Sequence, residues 1–354
     1  MSNHQHLRVA ITTGDLNGTG IEIIIKTLTD HRVFQDITPV IFGSSKSISF
    51  YRKLLNSAEF NYNTVKPGES PIANKVNVIN CWEEEIKIEP GASTVESAKY
   101  AFLSFEHAVN AIQSGNADVL VTSAIDKHTI AAQHPGFRGH TEYLAEKFSA
   151  SDHLMLLAAG NLRVGVVTGH IPLQQVAAAL TVDAIVRKAR VMHAALAADF
   201  GIGRPKIAIL GLNPHAGDGG IMGSEESEVI GKAIQILKDE KMLVFGPFPA
   251  DGFFGTMACF KFDGVLAMYH DQGLIPFKTL AFDNGVNVTC GLPVVRTSPD
   301  HGPAFDIAGK NIASESSFRE AIFLACDIWN KRNEYSDLIR NRLPVGLSKY
   351  SADQ

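Results

Sequence analysis

Three apolar runs each end in a histidine: VGVVTGH reaches His170, AILGLNPH reaches His215 and VLAMYH reaches His270. Short apolar runs bounded by Gly, Asn or Pro read as buried strands, and in open α/β sheets ligands gather beyond the carboxyl ends of strands. Neutral imidazole is a common ligand for divalent transition metals, and a catalytic centre leaves positions open for substrate. A lone histidine is more often a hydrogen-bonded core or surface residue. Three at the same topological position, each with Gly or Pro close by, favour a metal site built from His170, His215 and His270. Asp271 follows His270 directly and Asp251 sits in PFPADGF, so carboxylates are at hand as further ligands or as partners that orient the imidazoles. No HExxH helix and no CxxC pair competes for the metal.

A second group of residues suits anions. Lys278, Asn287 and Arg296 interrupt a stretch otherwise dominated by apolar residues and glycine. Exposed lysines are usually solvated, yet a guanidinium with an ammonium is what a phosphate or carboxylate substrate requires. Gly217, Gly219, Gly220 and Gly223 in HAGDGGIMGSEE form a loop whose backbone could approach a ligand and lead into a helix N-terminus. Gly14, Gly18 and Gly20 in TTGDLNGTGIE match neither GxGxxG nor GxxxxGK[ST], so a tight strand-to-helix turn explains them equally well.

The elements that must position these residues alternate between strand and helix patterns, as in an α/β protein. Strands are expected at 7–12, 40–43, 75–80, 118–122, 163–168, 206–212 and 264–268, and helices at 21–28, 97–114, 181–199, 224–240 and 316–332. In the helix over 97–114, Ala98, Ala101, Phe102, Phe105, Ala108, Val109 and Ile112 share one face, and Gly115 follows where a C-cap belongs. The polar segment 56–71 reads as a loop or surface excursion. No internal repeat, low-complexity tract or flexible linker is visible.

Bulk properties bound the function. The 354 residues suggest two domains or one large one, and 45% apolar with 19% charged residues suffices for a sizeable core. A net charge of −5 without a Lys/Arg stripe argues against nucleic acid as a partner. No apolar run approaches the roughly 20 residues needed to span a bilayer, and the opening MSNHQHLRVAITTGD lacks the pattern of a secretory signal. Cys81, Cys259, Cys290 and Cys326 lie far apart and read as buried thiols, so a cytoplasmic location is expected.

Five blocks carry a family resemblance: GHTEYLA (139–145), TGHIPL (168–173), LNPHAGDGGIMGSEE (212–226), MYHDQGLIPFKTL (268–280) and GLPVVRTSPDHGPAFDIAG (291–309). Their order and wording resemble the 4-hydroxythreonine-4-phosphate dehydrogenases from about residue 7 to about residue 332. The resemblance implies an α/β, isocitrate/isopropylmalate-dehydrogenase-like two-domain fold with the active site in the interdomain cleft at a homodimer interface. Residues 1–137 with 301–354 would form the first domain, and 138–300 the second, with the metal ligands and dimer contacts. One divalent metal (zinc, or else cobalt, magnesium, nickel or iron) would be held by His170, His215 and His270, one of them from the partner chain. His140 and Thr141 of GHTE, with Lys278, Asn287 and Arg296, would contact a phosphorylated hydroxy amino acid. HGPAFDIAG looks like an adenosine-binding loop, so His301, Gly302, Ala304 and Asp306 would contact NAD or NADP without a Rossmann fingerprint. The chain departs from the commoner family wording at GDLNGTGIE, at VTSAIDK and at Arg138 before GHTE.

The implied reaction is oxidation of the C3 hydroxyl of 4-phosphooxy-L-threonine, followed by loss of CO2 to 3-amino-2-oxopropyl phosphate, a step in pyridoxine 5′-phosphate synthesis. A divalent metal there would lower the hydroxyl pKa and polarise the carbonyl that replaces it. A base must take the hydroxyl proton. Lys127, Asp251 and Asp271 are the candidates; the sequence does not choose among them, a carboxylate near the metal is slightly preferred, and Lys127 would need a depressed pKa. Two other readings remain at this point. The same fold could oxidise a related four-carbon acid, 4-phosphoerythronate or 4-phosphothreonate. A metal-dependent hydrolase would also fit three histidines, but it has no use for an adenosine loop. Three metal-type histidines among so many polar pocket residues speak against a protein that only binds.

Overall fold

The computed structural model describes residues 6–66 and 68–341. The outer ends of the first expected domain, 1–5 and 342–354, lie outside the described residues, as do residue 67 of the polar segment 56–71 and the first residues of the segment read for a secretory signal.

Twelve strands form the framework: β1 (Leu7–Thr12), β2 (Ile37–Gly43), β3 (Asn63–Val65), β4 (Asn77–Asn80), β5 (Val119–Thr122), β6 (Leu154–Ala159), β7 (Leu162–Thr168), β8 (Lys206–Leu210), β9 (Leu243–Phe248), β10 (Gly264–Tyr269), β11 (Val286–Cys290) and β12 (Val295–Pro299). They make one sheet in the order β3-β4-β2-β1-β5-β12-β11-β6-β7-β10-β8-β9. The α/β class expected from the alternating pattern is the class observed.

Inside the first block, pleating decides which helix each residue meets. Val9 and Ile11 of β1 pack with Ile21, Ile24, Ile25 and Leu28 of the helix Gly20–Thr29. Ala10, one residue out of phase, joins Ala98, Ala101, Phe105 and Val109 of the helix Val95–Gln113 on the opposite face. A strand covered on both faces reads as a continuous apolar run, which is why LRVAIT was legible. The helix Val95–Gln113 starts where the Thr94 side chain accepts from the Ser97 N–H.

The arrangement that creates a site lies in the middle of the sheet. The strands from β3 through β12 are parallel to one another, and so are β7, β10, β8 and β9. Between these blocks, three antiparallel pairings, β12 with β11, β11 with β6 and β6 with β7, reverse the direction. β11 and β12 do not follow from apolar periodicity: VNVTC and VRTSP carry polar residues, because Asn287, Arg296 and Ser298 line a cleft. β6, LMLLAA, is an apolar run that was not among the expected strands. The helix Ser316–Arg340 lies across β12, β5 and β11 and ties the blocks together. Its Arg332 Nε donates to Asp199 Oδ1 at 2.6 Å, just beyond the helix Val182–Ala198 of the second block.

Two further expectations shift. The polar segment 56–71 contains the short edge strand β3, and the helix expected over 224–240 opens with a π-turn, Glu226–Ile230, before the α-helix Gly231–Asp239.

Candidate active site

A cavity of about 400 Å³ opens on the face of the central strands. Lys127, His140, Thr141, His170, His270, Lys278, Asn287, Arg296, His301 and Gly302, all singled out in the sequence, line it. Asp251, Asp271, His215, Ala304 and Asp306 do not. Glu142, His153, Lys188, Ser298 and Asp300 line it without having been expected. Glu142 and Asp300 stand inside the motifs GHTE and SPDHG, so the signal was present. Lys188 lies on a helix whose other charged residues are solvated, and no local pattern distinguishes it.

Arg296 is the charge at the base. It extends from β12 and is almost wholly buried. Its Nη2 and Nε donate to Thr122 Oγ1 at 2.7 and 3.1 Å, Nη1 donates to Thr289 Oγ1 at 3.2 Å, and Nη2 lies 3.2 Å from His140 Nδ1. No carboxylate pairs with it among the described residues. Burial pushes the guanidinium pKa down to about 10, so it stays charged at neutral pH. A desolvated cation held only by neutral groups is costly unless an anion comes to it.

His140 opens the helix His140–Lys147, whose preceding Gly139 has φ 142°, a conformation that suits glycine. Burial, then Arg296, then Lys127 push its pKa well below the usual histidine value, so the ring is neutral. Its Nε2 finds no partner, and neither do Ser123 Oγ, Asn287 Oδ1 and His301 Nε2. All four residues line the same cavity. Buried polar atoms are nearly always hydrogen-bonded, so four orphans around one space point to a polar ligand.

Lys127 begins the helix Lys127–Gln133, capped by Asp126, whose Oδ1 accepts from the His128 and Thr129 N–H groups. Burial lowers the Lys127 pKa, Glu142 opposes the shift and Arg296 adds to it. Lys278 lies 3.3 Å from Asp300 Oδ1. Burial raises the Asp300 pKa, and Lys278 partly offsets the rise.

β7, β10 and β8 are consecutive parallel strands, so His170, His270 and the segment leading to His215 leave the same edge of the sheet. The His170 and His270 rings are 5.6 Å apart, centre to centre. Burial pushes the His170 pKa down, followed by Lys127 and His270, which keeps the imidazole neutral as a ligand must be. His270 Nδ1 lies 2.7 Å from Asp271 Oδ1, a contact that leaves Nε2 free and fixes the ring. The His170 ring, kept neutral, and the His270 ring, held by Asp271, therefore fit a divalent cation. Among the described residues no third His, Cys, Asp or Glu joins them.

The loop after β8 explains where His215 goes. His215, Ala216, Gly217, Asp218 and Gly219 have φ of 54°, 52°, 83°, 43° and 65°, a left-handed turn that only glycine adopts freely. Glu226 holds it: Oε1 accepts from the Leu212 and Asn213 N–H groups at 2.7 Å each, and Oε2 accepts from Asn213 Nδ2 at 3.0 Å. Gly217 lies against the same carboxylate, where an added Cβ would stand 2.6 Å from Oε2. This glycine thus serves the turn and not a ligand in the cavity. The first glycine loop is also a packing device, with Gly14 against Ala124 O, Gly20 against Thr13 O and Gly18 against Pro303 O.

Gly18 brings that loop onto the segment after β12. Thr19 N donates to Pro303 O at 2.9 Å, and the buried Glu22 accepts from the Gly309 and Ala313 N–H groups at 3.1 Å each. The 301–309 loop is thereby held beside the cavity mouth, with His301 and Gly302 inside it and Asp306 exposed. No helix among the described residues is long and apolar enough to cross a membrane.

A sequence profile for "Pyridoxal phosphate biosynthetic protein PdxA" matches residues 35–325. A 4-hydroxythreonine-4-phosphate dehydrogenase of Bacteroides thetaiotaomicron is 46% identical over 92% of this chain and 90% of its own. One from a Sulfurihydrogenibium species is 40% identical over 90% and 97%. Among solved structures, the 4-hydroxythreonine-4-phosphate dehydrogenase of Klebsiella pneumoniae superposes with a TM-score of 0.76 at 32% identity, covering 91% of this chain and 99% of that one.

Proposed function

The chain belongs to the PdxA family of pyridoxal phosphate biosynthetic proteins, and from that premise we propose that it oxidises 4-phosphooxy-L-threonine with decarboxylation to 3-amino-2-oxopropyl phosphate. The observation that carries the reading is Arg296, a buried guanidinium without a carboxylate partner among the described residues, at the base of a cavity that also presents Lys127, Lys188 and Lys278. Such a cavity suits a ligand with both a phosphate and a carboxylate.

His140 Nε2–H, Thr141, Lys278 and Asn287 supply further polar contacts to that ligand. Lys127 is the base we favour, because it lies inside the cavity with a lowered pKa, whereas Asp251 and Asp271 lie outside. It takes the C3 hydroxyl proton while the hydride leaves C3. The resulting β-keto acid then loses its carboxylate as CO2, and a proton returned from the site completes the product. NAD or NADP, against His301, Gly302, Ala304 and Asp306, would accept the hydride. A divalent metal at His170 and His270 would supply electrophilic assistance.

A metal site needs more than two protein ligands as a rule. We assign the third to His215 of the partner in a homodimer, because His215 of the same chain stays outside the cavity. The domain division 1–137 with 301–354 against 138–300 belongs to the same proposal.

The test is NADH formation from 4-phosphooxy-L-threonine, with and without a chelator, beside 4-phosphoerythronate. Turnover of the first, abolished by chelation and restored by added metal, is expected. Turnover of 4-phosphoerythronate alone would transfer the same chemistry to another four-carbon acid, and turnover of neither would overturn the dehydrogenase reading.

A further inference from the structure

Two carboxylates line the cavity, against four Lys or Arg side chains and five histidines. Asp300 is engaged, with Lys278 Nζ 3.3 Å from its Oδ1. Glu142 is not: it makes no hydrogen bond or ion pair among the described residues. Yet its charge is felt by Lys127, His153, His170, Lys188 and Arg296, so it stands among all of them.

Gly139 marks where Glu142 stands relative to Lys127. A Cβ at Gly139 would lie 3.1 Å from Glu142 Oε2 and 3.5 Å from Lys127 Nζ. The carboxylate and the ammonium both lie against the same bare backbone, and no ion pair between them is found among the described residues. A carboxylate kept apart from every neighbouring cation is available to a cation that arrives with the ligand.

We infer that Glu142 is the receptor for the substrate's amino group and the residue that selects an amino acid over the corresponding hydroxy acid. This rests on the proposed substrate class. 4-Phosphooxy-L-threonine carries an ammonium at C2, and 4-phosphoerythronate carries a hydroxyl there. The phosphate, carboxylate and C3 hydroxyl common to both are met by the cationic groups, so C2 is the one position where the two ligands ask for different chemistry. A carboxylate binds an ammonium through a charge-assisted hydrogen bond, and a hydroxyl through a weaker one. A site built for one group discriminates strongly against a ligand that lacks it.

The experiment is calorimetric titration of wild type, Glu142→Gln and Glu142→Asp with each of the two phospho-acids, beside thermal melts. Glu142→Gln should weaken binding of 4-phosphooxy-L-threonine by about tenfold to a hundredfold, with binding of 4-phosphoerythronate changed by less than about threefold. Glu142→Asp should retain part of the preference, and it carries the test if the glutamine variant melts early. Equal losses on both ligands would mean that Glu142 only balances the cavity charge, and would overturn the assignment, as would an unchanged preference. Because binding is read directly, a wild-type enzyme that binds but turns over neither compound refutes the proposed reaction and not this assignment.

Discussion

Arg296 Nη2 lies 3.2 Å from His140 Nδ1, and this contact decides which ring nitrogen of His140 carries the proton. A guanidinium can only donate, so Nδ1 must accept. The proton of the neutral ring is therefore on Nε2, the buried atom that faces the cavity without a partner. Arg296 both attracts the anionic ligand and turns its neighbour into a donor toward it.

His140→Ala should consequently raise KM for the phosphorylated substrate by about tenfold to a hundredfold, the worth of one hydrogen bond to a charged group. Steady-state kinetics that show an unchanged KM would exclude His140 from the binding surface.

Arg296→Met separates binding from stability. Removing an unpaired buried charge relieves desolvation, although Thr122, Thr289 and His140 each lose a hydrogen bond. The ligand-free variant should melt no lower than wild type, while the stabilisation that wild type gains from inorganic phosphate should vanish. A fall of many degrees in the ligand-free melt would mean that Arg296 holds the fold together.

Acid should destabilise the protein through His140. Its folded pKa is depressed below the ordinary 6.5, so the unfolded chain takes up a proton that the folded chain refuses. Stability from this group is fully present above about pH 6.5 and falls as pH drops below it, by about 1.4 kcal/mol per pH unit until the folded pKa is reached. Denaturant titrations of wild type and His140→Gln between about pH 7.5 and 5 would check this. Parallel slopes for the two proteins would contradict it.

The left-handed turn makes a paired prediction. Gly217→Ala meets Glu226 at 2.6 Å as well as an unfavourable φ of 83°, whereas Gly219→Ala meets open space and only the φ of 65°. The first should cost about 1–3 kcal/mol more than the second. Equal unfolding midpoints would show that Glu226 moves aside freely.

Subunit mixing tests the shared metal site. His170→Ala and His215→Ala should each be inactive alone. In a random mixture half the dimers are mixed, and each of these has one intact site of two, so activity should recover to about a quarter of wild type. No recovery after verified exchange would place all the ligands within one chain.

Some of this was legible in the residues themselves. Strands buried on both faces, such as LRVAIT, advertise themselves because hydrophobic burial acts on local composition. His170, His270, Lys278, Asn287 and Arg296, which line the cavity, stood out because chemistry restricts residue type, whereas His215, singled out with them, does not line it. β11 and β12 were not: their polar residues look like loop until a cleft is known to lie over one face. Lys188 was missed for a related reason, since a charged side chain has the same local sequence whether it meets solvent or a cavity, whereas Glu142 stands inside GHTE, where the signal was present.

The sequence by itself determined the α/β alternation, the residue types able to bind a metal and an anion, and the family to which the chain belongs. Only the tertiary structure decided that Arg296 has no carboxylate partner among the described residues, that Lys127 lies inside the cavity while Asp251 and Asp271 lie outside, and that His215 is carried away by a left-handed turn. The physical reason is that pKa, charge pairing and ligand geometry depend on groups far apart in the chain. They meet only when three antiparallel pairings join one parallel block of the sheet to the other.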